Sequence, residues 1–222
     1  MRVVVPFDAT DPKTRLAPLL DAPERRAFAR CMLRDVLDAV VGLSRADAVA
    51  GVDVISTAPL DPALERDGSD SDPSVTVRVD DRSLDPVVDD AIAETTVEGE
   101  SLVVVMADLA LATPDALVRL VQSDGDVVLV PGRGLGTNAL VVRTPAFRTD
   151  FHGASYLDHR RAAADVGTVG TVDSFRLATD VDEPADLVEA FVHGGERTRE
   201  WLTSRFELAV SEAEGRVSLA RR

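Results

Sequence analysis

Short runs of Val, Ile and Leu alternate along the chain with longer stretches in which apolar residues recur every three or four positions. Arg2 to Phe7, Asp53 to Thr57, Val75 to Val79, Leu102 to Ala107 and Val127 to Val130 have the length of strands. Several lack the alternation of a sheet wetted on one side, so they read as strands covered on both faces. Between the first two, Asp21-Ala22-Pro23-Glu24 combines a capping residue, a proline and an acid in a first helical turn. Phe28, Met32, Leu33, Val36, Leu37 and Val40 follow at spacings of three and four, which gives a helix with one apolar face. Asp61 to Asp67, Ser83 to Thr95 and Pro114 to Gln122 are expected as further helices between strands. Repeated strand and helix predict a mostly parallel sheet with helices on both faces, an α/β fold in three layers.

The pattern changes after Val130. Gly132, Gly134 and Gly136 punctuate a loop, Ala139 to Val142 makes another short strand, and Ser155 to Asp165 reads as a helix. Thr168 to Thr179 is expected to be extended and Glu183 to Val192 helical. Arg197 to Leu208, with Trp201, Leu202 and Phe206, reads as a last helix packing on the domain or on a second subunit. Asp67 to Asp72 reads as a surface loop. No repeat, low-complexity linker or charge block divides the chain, so residues 1–222 are expected to form one domain.

Charge narrows the range of partners. Asp and Glu number 39 against 24 Lys and Arg, a formal net charge of −15. Such a surface repels phosphate backbones and anionic lipid, which argues against nucleic acid and membranes. The chain contains a single lysine, Lys13. Heavy Asp and Glu use with almost no lysine is the composition of a protein kept soluble in concentrated salt, although coding rich in guanine and cytosine also favours Arg over Lys. Cys31 has no partner for an intrachain disulfide. No secretory-signal pattern follows Met1 and no apolar run approaches a membrane span, so a soluble, cytoplasmic protein is expected.

Four segments carry candidate chemistry. Lys13 and Arg15 lie in the loop after the first strand, at the carboxyl edge where open α/β sheets bind ligands. An ammonium and a guanidinium there suit a triphosphate and its pyrophosphate leaving group, or are two solvated loop charges. Asp108 follows the strand at 102–107 and either supplies a hard oxygen to a magnesium ion or bonds the amides of its own turn. Asp180 and Asp182 stand two apart in a segment read as extended, which sends their side chains to opposite faces and leaves one for the site. Asp182 either caps the following helix or joins Asp108 on a metal. Finally, Gly132-Arg133-Gly134-Leu135-Gly136-Thr137-Asn138 is either a loop whose amides converge on an anion or a hairpin turn. It matches neither the dinucleotide fingerprint nor the P-loop. His152 and His159 lack companions at metal spacing, so no zinc site is expected, and no nucleophile elbow is present.

Lys13-Thr14-Arg15-Leu16, Met106-Ala107-Asp108-Leu109, Gly136-Thr137-Asn138-Ala139-Leu140, the Ser155 to His159 segment and Asp180-Val181-Asp182-Glu183-Pro184-Ala185-Asp186-Leu187 carry a resemblance over most of the chain. They resemble nucleotidyltransferases of the glycosyltransferase-A-like, or nucleotide-diphospho-sugar transferase, fold, and more closely the archaeal CofC family of coenzyme F-420 biosynthesis. The resemblance implies a mixed, mostly parallel sheet and a guanylyltransferase that joins 2-phospho-L-lactate to GTP with release of pyrophosphate. It further implies Lys13 and Arg15 on the triphosphate, Asp108 and Asp182 on Mg2+, and Gly136, Thr137, Asn138, His152, Gly153 and Ser155 around the substrates. Relatives are often homodimers. The family usually has glycine where His152 stands, which bears on the acceptor; phosphoenolpyruvate, 3-phosphoglycerate or a sugar phosphate are the alternatives, and a catalytically silent nucleotide-binding module is the alternative to an enzyme.

Overall fold

The computed structural model describes residues 1–44, 49–69, 72–97, 99–211 and 216–222. Its centre is a seven-stranded sheet of β1 (Arg2–Phe7), β2 (Gly51–Ser56), β3 (Ser74–Val79), β4 (Leu102–Val105), β5 (Val127–Pro131), β6 (Thr137–Val142) and β7 (Val169–Thr171), in the order β3-β2-β1-β4-β6-β5-β7. β6 runs antiparallel to both of its neighbours, β4 and β5, and the other pairs are parallel. The sheet is therefore mixed and mostly parallel, as expected.

Both faces are covered. Val3, Val5 and Phe7 of β1 point into a core shared with α1 (Ala22–Leu43), α3 (Pro114–Val121), α6 (Asp186–His193) and α7 (Glu196–Thr203). Val4 points to the other side, where α2 (Leu84–Val97) and α4 (Ser155–Val166) lie. Continuous apolar strands are thus period-2 strands with two dry faces. α1 begins with a reciprocal capping box, Asp21 accepting from the Glu24 amide at 2.8 Å while Glu24 accepts from the Asp21 amide at 3.0 Å. No helix among the described residues is long and apolar enough to cross a membrane.

Several expectations fail for local reasons. The helix read over 61–67 is a single 3-10 turn, Pro62–Leu64, because the chain extends at Glu65 and Arg66 then pairs with Val75. The loop read over 67–72 lies partly outside the described residues, at 70 and 71. The strand read to Ala107 stops at Val105. Within 168–179 only β7 is a strand; Ser174 then caps a one-turn helix, α5 (Phe175–Ala178), by accepting from the Leu177 amide. The tail read as one helix is α7 followed by an antiparallel hairpin of β8 (Phe206–Ser211) and β9 (Arg216–Arg221). Leu208 and Val210 alternate with polar or small neighbours, so these residues take strand geometry once β9 supplies a partner. Trp201, Leu202 and Phe206 are buried within this chain, with Trp201 against Phe28 of α1.

A buried carboxylate fixes this last unit to the rest. Asp35 of α1 accepts from the backbone amides of Arg197 at 3.2 Å and Thr198 at 2.8 Å, supplying from another helix the cap that Gly195 cannot give α7. A Cβ at Gly195 would lie 2.4 Å from the Asp35 carboxyl carbon. Asp35→Ala leaves two helix-start amides without their acceptor and is expected to cost about 2 kcal/mol in chemical denaturation. An unchanged denaturation midpoint would show that the cap contributes nothing.

Candidate active site

The loop between β1 and the 3-10 turn at Thr14–Leu16 is braced from two sides. Thr57, just after β2, accepts from the Ala9 amide at 3.0 Å and donates to Asp8 at 3.1 Å. Arg25 of α1 donates to the Pro12 carbonyl at 3.2 Å and to Asp11 at 2.7 Å. Between these braces Lys13 takes φ 57°, in the left-handed region that non-glycine residues rarely adopt. The turn aims its ammonium inward, where Nζ donates to Asp108 Oδ2 at 2.5 Å and to Asp182 Oδ1 at 2.6 Å. Burial pulls the Lys13 pKa down, and the charges of Asp108 and Asp182 outweigh it, so the ammonium is held above its ordinary value. Arg15, largely exposed, reaches Asp182 Oδ2 at 3.2 Å.

Asp108 sits three residues past β4, in a turn that the Val181 amide joins by donating to its carbonyl at 3.3 Å. Its side chain does not bond the amides of that turn: Oδ2 accepts from Lys13, and Oδ1 is buried without a partner among the described residues. Asp180 joins the same cluster, so the expectation of opposite faces is corrected: this segment is irregular, and carboxylate oxygens of Asp108, Asp180 and Asp182 all lie within 4.8 Å of one another. Burial and then the charge of Asp108 push the Asp180 carboxyl above the usual carboxylate range. Asp182 does not cap α6, which starts four residues later with Ala185 at its cap. Asp186 does the local work instead, accepting from the Asp182 amide at 3.1 Å and the Glu183 amide at 2.8 Å. That leaves the Asp182 side chain to the cluster.

The antiparallel strand β6 brings its amino end to the same edge. The glycine-rich segment is the hairpin turn between β5 and β6, with the Gly132, Arg133 and Leu135 amides spent on backbone carbonyls. Val130 pairs with Ala139 but Pro131 pairs with Thr137, which makes Asn138 the extra residue of a β-bulge. The bulge turns Thr137 toward α4 and sends the Asn138 amide to the Leu177 carbonyl at 3.0 Å and Asp180 Oδ1 at 3.1 Å. Gly132 leaves room for this, since a Cβ there would lie 2.4 Å from Asn138 Oδ1.

Gly136, Thr137, Asn138, His152, Gly153 and Ser155 line one cavity of about 180 Å³, with Asp108 and Asp180 in its wall. His152 is mostly exposed, its Nδ1 2.5 Å from Asp150 Oδ1. A second cavity of about 220 Å³ runs beside Lys13, Pro6 and Met32, and a third of about 260 Å³ lies over Ile55, Thr57, Asp80, Arg82 and Val87. All three adjoin at Met106.

The structure brings together the residues expected from the sequence, keeps both Asp180 and Asp182 where one was expected, and adds His159. His159 left no signal as a metal ligand; it is fully buried, with Nδ1 2.8 Å from Thr137 Oγ1.

Solved structures share this architecture. A protein described as a nucleotide-diphospho-sugar transferase from Desulfovibrio desulfuricans is 17% identical with a TM-score of 0.62, the match covering 91% of this chain and 94% of the other. A nucleotidyl transferase from Methanothermobacter thermautotrophicus gives 12% identity and a TM-score of 0.52 over 91% of this chain and 98% of that one. In sequence, the 2-phospho-L-lactate guanylyltransferase of Haloferax volcanii is 54% identical over 222 residues, covering 100% of this chain and 98% of its own. That of Halomicrobium mukohataei is 53% identical over 223 residues, with both chains fully covered. The model of the CofC-like guanylyl transferases matches residues 1–222. With the basic loop, the acidic cluster and the full-length match in agreement, the chain belongs to the CofC-like guanylyl transferase family.

Proposed function

We propose that the chain, acting over residues 1–222 as one catalytic unit, transfers the guanylyl group of GTP to 2-phospho-L-lactate in coenzyme F-420 biosynthesis. A phosphate oxygen of the acid attacks the α-phosphorus of GTP, the bond from that phosphorus to the bridging oxygen breaks, and pyrophosphate leaves. Lactyl-2-diphospho-5'-guanosine is the product. The observation that carries this reading is the convergence of Lys13 and Arg15 on Asp108 and Asp182, beside the cavity under Thr137 and Ser155.

Such transfers depend on positioning and charge neutralisation more than on covalent chemistry by the protein. Lys13, fixed by its two carboxylates, is placed to meet the phosphates, and the freer Arg15 to follow the departing pyrophosphate. Three carboxyl groups stand against these two cations before any phosphate arrives. The buried, partnerless Asp108 Oδ1 and an all-oxygen donor set fit a hard divalent ion, so Asp108, Asp180 and Asp182 are assigned to Mg2+. When bound, the ion supplies positive charge to the phosphates and to the developing charge of the leaving group. Gly136, Thr137, Gly153 and Ser155 line the acceptor, with Asn138 holding Asp180 and His152 at the rim.

The purified protein is expected to release pyrophosphate when GTP, 2-phospholactate and Mg2+ are all present in molar salt. Phosphoenolpyruvate, 3-phosphoglycerate and a sugar phosphate serve as competing acceptors. Release with none of them overturns the enzymatic reading in favour of a silent nucleotide-binding module. Lys13→Ala and Asp108→Asn should each lower kcat/KM by about 100- to 1000-fold while leaving the thermal transition nearly in place. Variants that simply unfold would make those residues structural.

Two further readings concern the surface. With a net charge of −15, salt adaptation predicts a melting temperature that rises from about 0.1 M to about 1 M KCl, as the screening length contracts from about 10 to about 3 Å; a flat or falling curve refutes it. A homodimer would use the exposed Leu208, Val210 and Val217 of the terminal hairpin. Sedimentation should then show a dimer that Val210→Asp converts to monomer, and a monomeric wild type removes the proposal.

A further inference from the structure

A chain of hydrogen bonds reaches the acceptor cavity from the far side of α4. It begins on α2, where Asp85 accepts from the Phe151 amide at 2.7 Å and Asp89 accepts from the Thr149 amide at 2.8 Å. These two bonds fix the intervening residue, and the Asp150 amide donates to His159 Nε2 at 2.7 Å. A backbone amide can only donate, so Nε2 carries no proton. A neutral ring must then hold its proton on Nδ1, which lies 2.8 Å from Thr137 Oγ1. The ring is neutral for a geometric reason, since its Nε2 faces a donor, and burial, outweighing the nearby Asp85, Asp150, Asp158 and Asp89, lowers its pKa as well. Phe147 and Phe151 pack on it edge to face at 5.9 and 4.6 Å between centroids.

Thr137 Oγ1 therefore accepts from His159. It accepts a second, longer bond of 3.4 Å from Ser155 Oγ, which itself accepts from the Thr137 amide at 3.0 Å. Both lone pairs of the hydroxyl are occupied from inside the fold, and its own hydrogen is left to the cavity that Thr137 lines. A serine or threonine hydroxyl is ordinarily a rotor that donates or accepts as its ligand requires. Here it can only donate.

We propose that His159, which lines no cavity of the site, is a positioning residue that fixes the Thr137 hydroxyl as a donor to an anionic oxygen of the acceptor acid. The inference rests on the proposed function for the identity of that acid. In a cavity whose wall includes Asp108 and Asp180, a donor that cannot reverse its role selects a carboxylate or phosphate oxygen over a hydroxyl that must donate.

Two substitutions separate the ring nitrogens. Asn carries its amide nitrogen as many bonds from Cα as Nδ1, and Gln carries its amide group at the distance of Nε2. His159→Asn thus keeps the donor to Thr137, while His159→Gln keeps only the acceptor for Asp150. Calorimetric titration with 2-phospholactate and Mg2+ should show affinity weakened about ten- to hundredfold in His159→Gln and Thr137→Val, and within about threefold of wild type in His159→Asn. GTP affinity should be unchanged in all three. Weakening of acid and GTP together, or equal losses in the Asn and Gln variants, overturns the proposal. Nitrogen-15 NMR of histidine-labelled wild type gives the independent readout: a proton on Nδ1 of His159 is expected, and one on Nε2 overturns the assignment even if every variant fails to fold. A wild type that binds the acid without turnover refutes the proposed reaction and leaves the positioning role standing; one that does not bind the acid refutes the positioning role.

Discussion

The Lys13 ammonium, placed between Asp108 and Asp182, is the contact on which the site depends. Three segments far apart in sequence supply those groups: the loop after β1, the turn after β4 and the irregular stretch before α6. The ammonium charge offsets the repulsion between Asp108 and Asp182, which at such distances in a partly buried site is on the order of a few kcal/mol. The cation is in turn aimed by a left-handed residue that the bonds from Arg25 and Thr57 hold on either side. Helix α1 serves this purpose as much as packing does: one face fills the core, and Arg25 near its start anchors the loop that carries Lys13. Strain in the backbone and repulsion among the acids are both offset by packing elsewhere in the sheet.

Much of this was legible in the sequence where the determinants are local. Continuous valine runs announced strands with two buried faces, and Asp21-Ala22-Pro23-Glu24 announced the start of α1, because a capping box is written in four consecutive residues. The lone lysine marked the loop after β1 because everywhere else the chain uses arginine. What stayed hidden depends on partners distant in sequence. Phe206 to Ser211 forms a strand only because Arg216 to Arg221 returns beside it. Asp180 faces the site only because the segment is broken by the helical turn α5 and stays irregular from Thr179 onward. His159 reads as an ordinary core histidine until Thr137, 22 residues away, and the Asp150 amide are placed on its two nitrogens.

The terminal hairpin shows the same logic at the scale of the whole chain. Arg221 bonds Glu24 and the Leu19 carbonyl, so the last strand closes against the amino end of α1, the helix that also holds Asp35 and Arg25. Capping box, loop brace and C-terminal anchor therefore share one rigid element.

The bulge at Asn138 carries a consequence for how such a site changes over generations. In a regular strand, neighbouring side chains answer to opposite faces, and a strand feeding two pockets would couple them through strict alternation. With one residue inserted, Thr137 turns to Ser155 and His159 of α4 while Asn138 reaches Asp180 on another wall of the same cavity. Substitutions around Thr137 and Ser155 can then reshape the wall toward α4 without removing the residue that steadies Asp180. Gain or loss of a single codon at this place, by contrast, would reverse both allegiances at once.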